Sequence, residues 1–439
     1  MTSHRFHPKD RKSHKRLSAT KNSLGTIKSR YLLCTNIRLY VDSNGDRFTE
    51  ATWRKDLSMQ LRYVKDFVLA CPVIFAAPPT DQVQLEDESI FRDMRIISLP
   101  VNNSITQECV HLPSTVAILW KAVMATEVVH AVLVGGLIPY GWITTMIAKL
   151  WFRNRFVIVI IESAPWRNKG RHVHSIARRV YSFISEFVNR RCVNASDLPI
   201  FTHEDYRSSL LTRADKRGHV IPASWIDDEN IMSDSEAEQS WQSKLANPSG
   251  HMRIVFAARL IPEKGVLILL EALRLLARIP IFIDCDILGG GQLLVECEER
   301  IGQLPSTAKV RMLGTVSYDR QFFRLLRQYH AIVVPSLSDE QPRIIYDAFS
   351  QALPVLASST PGTRSCITDH VNGKLVEPNS PQALADTLGW SSRNVCRLKA
   401  MGMAGLTTAR AHTHWQMHER RWELLAEYLA IGKESLETE

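Results

Sequence analysis

The chain has no C-x-x-C pair, no G-x-G-x-x-G and no Walker loop, and its eight cysteines are scattered over 439 residues. Dispersed thiols exclude a disulfide scaffold and point to a reducing compartment, so a cytoplasmic location is expected. Without the glycine motifs, neither a nicotinamide nor a P-loop reading has support. Excess charge is also scarce away from the amino terminus. Residues 1–30 hold nine Lys/Arg against Asp10 alone, which is +8 of the total +9 and leaves +1 for everything else. A nucleic-acid binder spreads positive charge over a folded face, so this balance describes an appended, disordered arm and argues against a nucleic-acid partner. The arm has no apolar core segment, which excludes an ordinary secretory signal.

Long hydrophobic runs are nearly missing as well. Residues 131–148 are 18 uncharged residues, the length at which a membrane span arises, but Gly135, Gly136 and Pro139 interrupt them. The surrounding sequence divides into a strand-like VVHAVLVGG and a helix-like PYGWITTMIAKLWF.

What remains is ordinary globular usage, 45% apolar and 23% charged, at a length that suggests two or three domains. Short β-rich runs such as YLLCTNIRLYV and RFVIVII alternate with longer helical ones, the pattern of parallel α/β units. The alternation predicts one domain over 31–226. It breaks at 227–250, where six acidic residues face one Lys, and this stretch is expected to be a linker. It restarts over 251–414 with MRIVFAA and KGVLILLEALRLLA. Residues 415–439 carry Trp415, Trp422, Leu425 and Leu429 at heptad-like spacing, a helix expected to dock on the core or to cross back to the first domain. Two Rossmann-like domains facing each other enclose a cleft, with ligands beyond the carboxyl ends of the strands.

Three segments of the second half carry chemistry. MRIVFAA runs into Arg259-Leu-Ile-Pro-Glu-Lys264-Gly265 and then a helix, so two cations lie at a strand end beside a helix N-terminus, where a diphosphate fits. Next come Gly289, Gly290 and Gly291, whose missing β-carbons permit close backbone approach to a ligand. In PSLSDEQPRIIYDAFSQALPVLAS, Asp339 and Glu340 lie in a loop and Asp347 on the helix that follows, short acids suited to sugar and ribose hydroxyls.

In this order and spacing, RLIPEKGVLILLEAL, ILGGGQL, VRMLGTV, PSLSDEQPRIIYDAFSQALPVLAS and VNGKLVEPNSPQALADTL resemble the carboxyl-terminal half of the family 4 glycosyltransferases of GT-B fold. The resemblance spans residues 252 to about 390. It implies transfer of a hexose-type sugar from a nucleotide-sugar donor with retention at the anomeric carbon, no metal and no other cofactor. Arg259, Lys264 and Asp339 would be the catalytic set, with Gly289, Gly290, Gly291, Glu340, Arg343 and Asp347 binding the donor. The family's E-x7-E pair falls here on Asp339 and Asp347, each one methylene shorter, and Pro342-Arg343 matches a Pro-Arg version of its loop.

The first half departs further. Where these enzymes often carry His-x-His, the chain reads Val129-His130-Ala131-Val132, so only His130 is kept. Glu162 and Trp166 follow a strand and would orient an acceptor hydroxyl and stack on a sugar ring. Asn36 sits in the first loop. These four form the expected acceptor side, the acceptor being a saccharide or lipid-linked precursor of a glycolipid or cell-surface polysaccharide. Asp284-Cys285-Asp286 lies inside a strand, and His412, His414 and His418 read as polar-face residues, so no metal site is expected. Residues 171–191 place Val173, Ile176, Val180, Phe183, Ile184 and Phe187 on one helical face with arginines largely elsewhere. That suits a core-packed helix, or a basic surface at anionic lipid that would put the protein at the inner face of the membrane. Two other readings remain open: a degenerate nucleotide-sugar-binding protein without turnover, and another GT-B enzyme such as an epimerase or phosphorylase.

Overall fold

The structure is a computed structural model and describes residues 24–437 except 80–81, 86–88, 168–175, 247–250 and 277–280. Most of the basic arm, together with Arg171 and Val173, lies outside the described residues.

Two sheets organise the chain. In the second, six parallel strands lie in the order Ala308–Gly314, Ile283–Leu288, Met252–Ala257, Ala331–Val334, Val355–Ser358, Gly373–Val376. Numbered along the chain this is 3-2-1-4-5-6, the doubly wound order whose direction reverses between the first and fourth strands. AIVV and VLAS are buried at every residue, as a parallel strand covered on both faces requires. In the first sheet the parallel strands Leu198–Phe201, Phe156–Ile161, Val128–Ala131, Tyr31–Cys34 and Phe67–Phe75 lie side by side. An extension runs outward from Phe67–Phe75 through Leu39–Val41, which pairs with it in parallel, to Arg47–Glu50, which pairs antiparallel. The chain is thus α/β with two Rossmann-like sheets.

The stretch expected as an acidic linker has structure of its own. A 3-10 turn at Asp228–Asn230 precedes the helix Asp234–Leu245, whose Trp241 and Ala237 are fully buried in the second domain's core. Its acids lie outward, which is why composition alone reads as solvated chain. The last helix, His414–Glu437, crosses back: Met417, Leu424 and Leu425 join the core beneath the first sheet.

The uncharged run 131–148 is divided between the strand Val128–Ala131, a turn, and the helix Tyr140–Leu150. Among the described residues no helix is long and apolar enough to cross a membrane.

Candidate active site between the two sheets

The reversal of strand order opens a crevice where the loops after Met252–Ala257 and Ala331–Val334 diverge, and both loops face the first domain. A cavity of about 440 Å³ lies there, lined by Arg259, Lys264, Glu340 and Arg343 from one side and by Glu162 and Trp225 from the other. Lys264 forms an ion pair with Glu340, across 76 residues of sequence. Arg343 stacks on Trp225, its guanidinium carbon 4.3 Å from the ring centroid. Gly265 allows this arrangement. Its φ is +75°, and a β-carbon there would stand 1.9 Å from the Pro335 carbonyl oxygen, so only glycine lets the Lys264 loop close on the loop after the fourth strand.

Gly289, Gly290 and Gly291 do not line this cavity. A β-carbon on Gly289 would meet the Ala258 carbonyl oxygen at 2.0 Å, and the Leu260 amide donates to the Gly290 carbonyl at 2.9 Å. The space freed by Gly289 and Gly291 is filled by the Arg259 loop, so they shape that loop from behind.

The acidic pair is also placed differently from the expectation. Asp347 is buried and accepts a hydrogen bond from the Tyr318 hydroxyl at 2.8 Å, outside the cavity wall. Burial pushes its carboxyl up to about 6, against the Tyr318 bond and the charges of Arg343 and Lys55, which pull it down. Asp339 sits against His203 and Tyr206 of the first domain. Burial first, then Asp339 and Glu340, hold the Tyr206 phenol well above its ordinary value. The adjoining Gln341 amide clamps the Ala223 backbone, donating to its carbonyl and accepting from its N–H, both at 3.0 Å. The loop is thereby fastened to the segment that joins the domains.

A second cavity, about 570 Å³, penetrates the first domain between its sheet and the helices Ala51–Tyr63 and His414–Glu437. It shares Glu162, Ser163, Trp53 and Trp225 with the first cavity, so the two adjoin. Leu33, Ile158, Ile160 and Ile200 make its walls apolar, and Asn36 and His130 also line it. His130 Nδ1 accepts from Tyr31, whose hydroxyl itself accepts from Gln60 at 3.0 Å; the Tyr31 to His130 distance is 2.9 Å. Burial pushes the imidazole down to about 3, helped by the Arg421 charge, while Asp56 pulls it up, so His130 is neutral at physiological pH. Trp166 reaches neither cavity. It is 7% exposed and its indole N–H donates to Glu186 at 2.7 Å, so its ring is not presented to a sugar.

Sequence reasoning missed Arg421, which donates to Glu162 at 3.0 Å and stands 3.8 Å from Asp56. It also missed the contact of His414 and His418 with Asp56, whose ligand-capable atoms lie within 4.8 Å of one another. The atoms of His418 and Asp56 are already used, and His414 Nε2 stands 3.5 Å from Asp56. His418 donates to Asp56 at 3.0 Å and accepts from Tyr63 at 3.1 Å, and Arg421 supplies the neutralising cation. Asp286 of the D-x-D is likewise engaged, by Arg311 at 2.6 Å and Tyr329 at 2.7 Å. The one signal for Arg421 was its place one turn after His418 on an otherwise apolar stripe.

Residues 237–401 match the family model described as Glycosyl transferases group 1. They form a domain of that family. The group 1 domain therefore starts inside the helix Asp234–Leu245 and contains Arg259, Lys264 and the acidic loop. Among curated proteins, the D-inositol 3-phosphate glycosyltransferase of Xylanimonas cellulosilytica is 29% identical over 180 residues, 39% of this chain and 42% of that protein. The uncharacterized glycosyltransferase MJ1178 of Methanocaldococcus jannaschii is 26% identical over 134 residues, 30% of this chain and 36% of that protein. The match thus spans less than half the length of these relatives. Likeness in fold extends much further. Anabaena Alr3699/HepE in complex with UDP-glucose superposes with a TM-score of 0.60 at 16% identity, over 90% of this chain and 99% of that one. The sucrose-phosphate synthase of Thermosynechococcus elongatus gives 0.65 at 15% identity, over 92% and 100%. The group 1 domain and the domain facing it together make a GT-B fold.

Proposed function

We propose that the protein is a retaining glycosyltransferase that moves a hexose-type sugar from a nucleotide-sugar donor to a hydroxyl acceptor. One observation carries this reading: Arg259 and Lys264 meet at the strand-order reversal of a group 1 domain, in a cavity whose far wall belongs to the other domain. Two cations there hold a diphosphate and stabilise the charge that grows on it as it leaves. Lys264 exchanges its Glu340 partner for the phosphate. Glu340 and Arg343 then face the sugar, while Asp339 holds their loop against His203 and Tyr206, and Asp347 acts behind them by holding the helix that begins after Arg343. The acceptor oxygen attacks the anomeric carbon as the bond to phosphate breaks. Its proton passes to the departing phosphate oxygen on the same face, so no metal and no strong protein base are needed.

The acceptor enters the adjoining chamber, where Glu162 orients its hydroxyl and Asn36 and neutral His130 supply polar contacts. Apolar walls suit an acceptor with a hydrocarbon part, such as a lipid-linked glycolipid or polysaccharide precursor taken from the cytoplasmic face of a membrane.

The test is the thermal midpoint of the protein in chelator with UDP, GDP, ADP and their sugar conjugates, beside Lys264→Ala. A ligand bound only by the folded state must raise the midpoint. One nucleotide class is expected to shift the wild type and not the variant, with hydrolysis or transfer of the matching sugar conjugate following. No shift with any nucleotide sinks the donor site. A shift without turnover on any acceptor or water favours the reading of a donor-binding protein without catalysis, which the withdrawn position of Asp347 makes the second choice.

A further inference from the structure

The helix Ile176–Ala195 is built inside out. Its buried residues include Ser185 and Asn189, and Asn189 accepts the indole N–H of Trp142 at 3.1 Å. Its apolar residues face solvent instead: Ile176 is 78% exposed, Phe183 75%, and Val180, Ile184 and Phe187 about half. At 100° per residue these five fall within one stripe about 100° wide. An apolar stripe turned to water over three turns is what a core-packed helix does not show, and contiguous patches of this kind mark an interaction surface.

Its surroundings choose the partner. Arg178, Arg179 and Arg191 have no carboxylate partner among the described residues, and Arg191 lies over the Phe187 ring at 5.0 Å. Arg179 borders the stripe on one side, and Arg191 continues it one turn beyond Phe187. Cations bordering an apolar face complement anionic headgroups above an acyl layer, whereas an apolar protein partner would gain nothing from them. The stripe also adjoins the acceptor chamber. Tyr181 donates to the Gly136 carbonyl at 3.2 Å, and Glu108 of the helix Ile105–Met124 accepts the amides of Leu137 and Ile138 at 2.9 and 3.1 Å. The exposed Ile105 of that helix, one turn before Glu108, borders the same loop, whose Gly135 lines the chamber.

We propose that this stripe, continued by Ile105, seats the protein on an anionic lipid bilayer, with Phe183 and Phe187 in the acyl boundary and the arginines at the phosphates. The chamber mouth then opens at the membrane surface. Only that last consequence rests on the glycosyltransferase reading; the lipid contact does not.

Flotation of the full chain with vesicles decides it. Phosphatidylcholine vesicles containing roughly a third phosphatidylglycerol should carry the wild type up the gradient, and pure phosphatidylcholine should not. Phe183→Ser combined with Phe187→Ser should cut partitioning on the order of ten-fold or more, as should Arg179→Glu with Arg191→Glu. All four side chains are exposed, so an unchanged unfolding midpoint and an unchanged nucleotide-induced shift certify that each variant is folded. Equal binding by the wild type and the Phe183/Phe187 variant would assign the attraction to the basic arm and overturn the proposal. So would no binding by the wild type, or a wild-type dimer that these substitutions turn into a monomer. A missing nucleotide shift with intact vesicle binding would instead count against the enzyme and leave the lipid surface standing.

Discussion

At the scale of single residues, the acidic pair shows how burial changes what a motif position does. Asp347 keeps the carboxylate that the resemblance asks for, but it spends it on Tyr318 in a dry site. A carboxyl pushed up to about 6 binds its proton more readily folded than unfolded, where an ordinary Asp titrates near 4. Its contribution to stability is therefore fully present below pH 4 and lost as pH rises through 6. Asp347→Asn keeps an acceptor for the Tyr318 hydroxyl and removes that loss. It should raise unfolding stability at pH 8 by on the order of 1–3 kcal/mol, with the gain gone by pH 4, as urea titrations at the two pH values will show. A variant that is less stable than wild type at pH 8 would mean that the ionised carboxylate is held by more than burial allows. Gly265 is the opposite case, a position where no side chain is tolerated. Gly265→Ala combines a positive φ with a carbonyl oxygen in the way, and should cost about 2–4 kcal/mol and the Lys264-dependent nucleotide shift together.

At the scale of elements, what was legible followed how local the determinants are. Cations after a strand and before a helix sit at a strand end whatever the rest of the chain does, so Arg259 and Lys264 could be placed from sequence. Trp166 could not, because its fate depends on Glu186 twenty residues away. The helix Ile176–Ala195 has a clear apolar stripe, but periodicity reports only that a stripe exists; the side it faces is set by Trp142 and the neighbouring helix. The helix Asp234–Leu245 was hidden by its charge. Its start is a capping box, with Glu236 N–H donating to the Ser233 hydroxyl at 3.2 Å and Ser233 N–H to the Glu236 carboxylate at 2.8 Å. Its anchor is Trp241, fully buried, with its indole N–H on the Ala352 carbonyl at 2.9 Å. Ser233→Ala should cost about 1 kcal/mol and Trp241→Ala about 3–5 kcal/mol in equilibrium unfolding. A true linker would lose nothing with either.

At the scale of the whole molecule, two domains with separate cores are tied by specific groups, among them the Gln341 clamp, the Arg343 stack on Trp225, the Lys55 to Asp227 bridge at 2.7 Å, and the last helix. The last helix brings Arg421 into the first domain, where it balances Asp56 and Glu162 in the wall of the 570 Å³ cavity. Removing one member of a buried ion pair leaves an uncompensated charge, which costs more than the pair itself contributes. Arg421→Ala should therefore lower stability by about 3–5 kcal/mol at pH 8, and adding Asp56→Asn should recover a large part of that loss. Acid should narrow that deficit. His418 is held down to about 4 by burial, against Asp56, which pulls it up, while His414 and Arg421 add to the depression. A His depressed in the folded state loses stability as pH falls below its unfolded value near 6.5. Removing the guanidinium relieves part of the depression, so the variant gives up less on acidification than the wild type. The deficit of Arg421→Ala should accordingly be smaller at pH 4 than at pH 8, and His418→Gln introduced into both chains should remove the part of that difference that His418 carries. Because the proposed donor cavity draws its cations from the other domain, the nucleotide-induced shift of Arg421→Ala should match the wild type wherever both are folded. A variant that keeps its stability but loses that shift would instead place Arg421 in the donor site.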